Sequence, residues 1–157
     1  MRKILLVPCL LLAVGCSKEP KVEAPPPPAA PAALVAADAA GTLEGTTMAD
    51  GTDSVLSTWT AVQVAATTGG LTGKLVNHAA TKDTVPYSTT ISGDSAVSVS
   101  AVYKDATMPK GTPPLKWEAV GRANGHEWTG TVTIMVAAND SVLQRAHWKA
   151  THTPPTP

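Results

Sequence analysis

Apolar and polar residues alternate along most of the second half of the chain. The clearest segments are residues 95–103, 115–123, 126–136 and 142–151. Successive side chains of a strand point to opposite faces, so a period of two predicts half-buried antiparallel strands. The apolar sets, which we expect to face the core, include Val97, Val99, Ala101 and Tyr103 in the first segment, then Trp117, Trp128 and Trp148 in the next three.

Turn residues separate these segments. Asn124-Gly125 between two alternating runs is a strong hairpin signal, because both residues accept positive φ. Gly93-Asp94 indicates another turn, and residues 104–114 form the long loop. Weaker patterns predict earlier strands at residues 42–48, 55–64, 71–78 and 85–91. Pro86 marks the last of these as an edge strand or as irregular in its first residues.

These elements predict an all-β domain over residues 41–152. It is a small antiparallel up-and-down barrel or meander of about seven or eight strands, with a sandwich left open as the other way to bury one face. Closure into a barrel is favoured because it removes exposed strand edges. The chain has no Phe and four Trp, so tryptophan must supply much of the bulk in a core made mainly of Ala and Val.

The N-terminus resembles the signal of bacterial lipoproteins. A short basic start precedes an apolar run at residues 4–14, which is too short to span a bilayer. Ala-Val-Gly-Cys at 13–16 then resembles the lipobox of that family. The resemblance implies cleavage between Gly15 and Cys16, and a diacylglycerol and palmitate on Cys16. An ordinary secretory signal with a chance cysteine is the alternative, while Cys9 is a poor lipidation site because proline precedes it.

The resulting domain organisation has four parts. Residues 1–15 are the signal peptide, 16–40 the lipidated cysteine with a Pro/Ala-rich linker, 41–152 the β domain and 153–157 a disordered tail. We expect the linker to be a disordered, semi-rigid spacer, with one helical turn possible at 34–40. The lipoprotein resemblance implies a protein of the bacterial cell envelope, with Ser17 favouring the outer membrane facing the periplasm.

Charge and motifs exclude several function classes. The chain has 12 basic and 12 acidic residues, unlike the basic footprint of a nucleic-acid-binding protein. Cleavage before Cys16 would leave no free thiol for catalysis or metal binding. The four histidines show no metal-ligand spacing, and we expect them to be solvent-exposed on strands: His78, His126, His147 and His152. No nucleophile elbow or phosphate loop occurs, so we expect no enzyme activity, metal or cofactor.

Trp117, Trp128 and Trp148 are the remaining candidates for a site. They either fill the core, which packed interiors favour, or form the aromatic wall of a ligand cavity. The first reading predicts a non-catalytic binding or structural module for an envelope partner; the alternative is a carrier of a small apolar ligand. The barrel is loosely similar to the lipocalin-like barrels of some bacterial lipoproteins, although the lipocalin Gly-x-Trp motif is absent, since Trp59 follows Ser-Thr.

Overall fold

A computed structural model describes residues 33–67, 69–80, 84–104 and 108–156. The predicted signal peptide, the predicted lipobox with Cys16 and most of the predicted linker lie outside these ranges. The described elements are α1 (Ala36–Ala39), β1 (Gly41–Ala49), β2 (Val55–Ala65), β3 (Leu71–Asn77), a 3₁₀ helix (His78–Ala80), β4 (Thr84–Ser92), β5 (Ser95–Ser100), β6 (Leu115–Asn124), β7 (Glu127–Val136) and β8 (Val142–Thr153).

The eight described strands close into one antiparallel barrel. Each strand pairs with the next along the chain, and β1 pairs with β8 to complete the ring. The predicted all-β up-and-down barrel is confirmed. Most strand boundaries fall within two residues of the predicted ones, but β5 ends at Ser100, and Tyr103 forms only an isolated bridge to Leu115.

The two ends of the barrel differ. The hairpin turns β2–β3, β4–β5 and β6–β7 lie at the end where β1 begins, together with α1; we call this the α1 end. The other end carries the β1–β2 turn, the 3₁₀ helix, the described residues between β5 and β6, and the β7–β8 turn; we call it the loop end.

The helical turn α1 packs against the α1 end. Ala39 is fully buried, and the backbone N–H of Leu34 donates to the carbonyl of Gly93 at 2.8 Å. The side-chain amide of Gln63 donates to the carbonyl of Ala39. The last residues of the predicted linker therefore belong to the packed unit, and the helical turn expected near 34–40 is present at Ala36–Ala39.

The inward face of β5 is the opposite of the one that its apolar pattern predicts. Ala96 and Ser100 are buried, whereas Val99 is 42% exposed. Ser100 lies one residue beyond the β5–β6 ladder and accepts a hydrogen bond from the backbone N–H of Trp117 at 2.8 Å, so a small polar side chain replaces a backbone contact there. The prediction that Val97 and Val99 face the core is wrong because pairing with β4 and β6 sets the orientation of the strand.

The structure also differs from two local predictions, which concern β4 and the β6–β7 turn. Strand β4 is not an edge, since it pairs with both β3 and β5; Pro86 lies just before the β4–β5 ladder begins, so its missing N–H removes no ladder bond. The β6–β7 turn consists of Gly125 and His126, one residue later than predicted, with positive φ at Gly125. Among the described residues, no helix is both long and apolar enough to cross a membrane.

Candidate functional site

The barrel encloses a cavity of about 350 Å³. All four tryptophans and Tyr87 line it: Trp59, Trp117, Trp128 and Trp148 are each less than a tenth exposed. Small side chains on the same inner face, including Ala61, Ala96 and Ala119, leave the space between the rings. Trp117, Trp128 and Trp148 face inward as predicted, and Trp59 also faces the cavity.

The aromatic rings contact one another and are held by hydrogen bonds. Trp59 and Trp148 form an edge-to-face pair with ring centroids 6.0 Å apart. Their indole N–H groups donate to the hydroxyl of Thr47 at 3.0 Å and to the carbonyl of Thr131 at 3.1 Å. Edge-to-face packing and satisfied N–H groups stabilise buried tryptophan, so this wall is preformed.

Three of the aromatic rings pack over glycines on neighbouring strands. Gly45 lies opposite Trp59, Gly73 opposite Tyr87 and Gly130 opposite Trp148 in the strand register. A Cβ atom on Gly45 or Gly73 would collide with the ring that lies across it. Glycine on these strands is therefore a packing requirement, because the aromatic ring covers the place of the missing side chain.

A chain of hydrogen bonds links the cavity wall to α1. The hydroxyl of Tyr87 donates to the Gln63 side-chain oxygen at 3.1 Å, and Gln63 donates in turn to the carbonyl of Ala39. Tyr87 rests against Trp117, with centroids 5.6 Å apart. Burial raises the pKa of the Tyr87 phenol well above its ordinary value, because the phenolate would lose its hydration.

His152 supports the same end of the barrel. It is only 6% exposed, so the prediction of a solvent-exposed histidine is wrong here. Its Nε2–H donates to the carbonyl of Ala40 at 2.9 Å, and its ring lies 6.0 Å from that of Trp128. The inward face of β8 continues to this position, and the hydrogen bond to the segment before β1 satisfies the buried ring.

The cavity opens at the loop end. Two of its lining residues, Leu56 and Lys104, are also exposed to solvent, and both lie at that end. Ser57, Asn77 and Gln144 line the same region and are half-buried. The α1 end contributes no exposed lining residue among those described, so a ligand would enter past Leu56 and Lys104.

The other histidines form no metal site in the described part of the chain. Within it there is no cluster of three or more His, Cys, Asp or Glu side chains that could hold a metal ion. On the outer surface, the Nε2–H of His78 instead donates to the hydroxyl of Thr60 at 2.8 Å, and its Nδ1 lies 3.0 Å from the hydroxyl of Thr58, within hydrogen-bond distance. The Thr60 hydroxyl donates to Glu44 at 3.0 Å, which gives a surface network across β1 and β2.

Several residues of the cavity were not identified from sequence. Trp59 could have been found, because the stretch around it resembles the one around Trp148: each has Asp-Ser-Val-Leu before the tryptophan and an alanine two residues after it. The structure puts the two stretches on β2 and β8, the neighbours of β1, with their tryptophans in contact. Gln63 and Lys104 had no such signal, since a lone polar residue does not reveal which face it occupies.

Comparison with known proteins adds no relative to this picture. No family model matches the chain, and no curated protein or solved structure is significantly similar to it. Function must therefore be argued from the barrel and its cavity.

Proposed function

We propose that this protein is a non-catalytic carrier that binds one small apolar ligand inside its barrel. The aromatic-walled cavity of about 350 Å³ carries this proposal. Its volume lies within the range of roughly 300–1,000 Å³ found for small-molecule sites. Eight-stranded barrels either fill their interior with side chains or hold one small ligand, and the space beside Ala96 and Ala119 favours the second outcome.

The cavity wall suits an apolar guest. Trp59 and Trp148 use their N–H groups within the protein, so they present ring surface to the interior. Each CH₂ group of a ligand that leaves water for such a surface contributes about 0.8 kcal/mol. The rings are already packed against one another, so binding costs little reorganisation.

The proposal includes a place for the carrier in the envelope. The lipobox at 13–16 supports lipidation at Cys16, and the Pro/Ala-rich residues after it support a spacer that keeps the barrel off the membrane. About 20 extended residues reach on the order of 60 Å. We place the protein at the outer membrane, facing the periplasm.

A cavity-filling variant tests the carrier function. The chain from residue 17 onward contains every described contact and can be exported without the anchor. We expect octan-1-ol to change its tryptophan fluorescence in a saturable way, and native mass spectrometry of the gently purified protein to show an added mass that denaturation removes. Ala119→Leu, on the cavity wall, should weaken octan-1-ol binding at least tenfold because the leucine occupies the ligand's space.

Val120→Leu is the matched control. Val120 is the next residue of β6, points outward and is 42% exposed, so the same final side chain there should leave binding within twofold of wild type. Urea unfolding of both variants verifies that each remains folded. Equal binding by Ala119→Leu and wild type, or no saturable signal from wild type, would contradict the carrier function.

A further inference from the structure

The polar groups of the cavity are arranged unevenly along the barrel axis. Near the α1 end, Gln63 and Tyr87 bond to each other, and Gln63 also bonds to the α1 backbone. At the loop end, Ser57 and Gln144 form no side-chain hydrogen bond to a described residue. The deep part of the cavity therefore offers satisfied groups and ring surface, whereas the mouth offers free hydrogen-bonding capacity.

The described residues that line the mouth of the cavity, its opening at the loop end, carry charge of one sign only. Lys104 is the one charged side chain among the described residues that line the cavity. No described carboxylate forms an ion pair with it. Asp50 and Asp53 lie at the same end in the β1–β2 turn but do not line the cavity, and Asp140 is paired with Lys116.

We propose that the ligand is an amphiphile with an anionic head group, held tail-inward with its head at Lys104. This inference rests on the proposed carrier function and specifies the chemistry of its ligand. An apolar tail gains most from the deep tryptophan wall, and a head group at the mouth keeps part of its hydration. A cationic head would meet the Lys104 ammonium, and no described lining residue carries a carboxylate to offset it, whereas a carboxylate or phosphate head would gain an ion pair.

Three probes with the same eight-carbon tail test the sign of the head group. Octanoate, octan-1-ol and octylammonium are titrated at pH 7.5 into the chain from residue 17 onward, with tryptophan fluorescence as the readout. We expect octanoate to bind about two- to fivefold more tightly than octan-1-ol, which is the effect of one exposed ion pair, and octylammonium to bind more weakly than octan-1-ol. The advantage of octanoate should shrink as salt is raised, because salt screens exposed charges.

Substitution of Lys104 then tests whether this residue causes the preference for octanoate. Lys104→Met should bring octanoate to within about 1.5-fold of octan-1-ol, and Lys104→Glu should reverse the order of octanoate and octylammonium. Lys110→Met is the control: Lys110 is exposed in the same β5–β6 connection and does not line the cavity, so it should keep the wild-type preference.

The outcomes separate this inference from the carrier function. Binding of all three probes with equal affinity, or a preference for octanoate that survives Lys104→Met, would overturn the anionic head group and leave the carrier function standing. Tighter binding of octylammonium than of octanoate by wild type would also overturn it. Failure of octan-1-ol to bind at all would overturn the carrier function and this inference together.

Discussion

Tyr87 shows how one buried hydroxyl can matter to a small barrel. Its ring covers Gly73, its hydroxyl donates to Gln63, and Gln63 holds the α1 backbone. The phenol is protonated in this arrangement, and its pKa is raised by burial. In the unfolded chain the phenol titrates near its ordinary pKa of about 10. The native state therefore binds more protons than the unfolded state above that pH.

The stability of the protein should fall at high pH because of Tyr87. Above about pH 10 the unfolded state loses the Tyr87 proton while the folded state keeps it, so the free energy of unfolding should fall by up to about 1.4 kcal/mol per pH unit from this group. Tyr87→Phe removes this contribution. Urea unfolding between pH 8 and 11 should give a steeper decline for wild type than for Tyr87→Phe.

Below pH 10 the Tyr87 hydroxyl stabilises the wild type relative to Tyr87→Phe through its hydrogen bond to Gln63. Tyr87→Phe leaves the buried Gln63 oxygen without its donor and should cost about 1–3 kcal/mol there. The gap between wild type and variant should therefore narrow as the pH rises. Parallel curves over the whole range would show that Tyr87 ionises equally in both states, against the burial seen here.

Among the elements, α1 contributes more to the packing of the barrel end than its four residues suggest. A helix this short has no stability of its own, so tertiary contacts must hold it. Those contacts are the burial of Ala39, the bond from Leu34 to Gly93, and the carbonyls bonded by Gln63 and His152. The segment packs against one end of the barrel and joins the barrel to the predicted linker.

Paired substitutions in α1 test this role. Ala39→Asp puts an unpaired charge at a fully buried position and should lower the free energy of unfolding by about 2–4 kcal/mol. Ala37→Asp places the same charge on the exposed side of the same turn and should change it by less than about 0.5 kcal/mol. Urea denaturation of the two variants gives the comparison. Equal effects would mean that α1 does not pack on the barrel in solution.

For the molecule as a whole, the proposed anchoring and the proposed ligand binding belong to separate parts of the chain. The described barrel contains no cysteine, and both cysteines of the chain precede residue 17. The proposed anchor therefore depends on Cys16 alone, whereas the cavity depends on strands far along the chain. Removal of the anchor should change where the protein is found without changing what it binds.

The two cysteines provide a matched test of the anchor. Cys16→Ser should abolish metabolic labelling with palmitate, because lipidation needs the thiol, and remove the protein from the outer-membrane fraction. Cys9→Ser should leave both unchanged, since Cys9 lies in the proposed signal peptide. Labelling that persists in Cys16→Ser, or that Cys9→Ser abolishes, would contradict the assignment of the lipobox.

The sequence by itself determined the antiparallel strands and their approximate number, seven or eight, and it favoured a barrel without excluding a sandwich. Period-two alternation and turn residues are local signals, and β6, β7 and β8 carry them strongly enough to place Trp117, Trp128 and Trp148 on inward faces. Only the tertiary structure decided the inward face of β5, the burial of His152 and the packing of Ala39. Each of these depends on a partner distant in the chain.

The cavity is also a tertiary property. Whether tryptophans fill a barrel or line a space depends on what lies across from each ring, and the alanines and glycines that do so come from other strands. Lys104 lies at the mouth because the regular strand β5 ends at Ser100 and Tyr103 is bridged to Leu115 at the loop end. Local patterns specify which side chains face inward, but the volume between them is set by strand register and by closure of the ring.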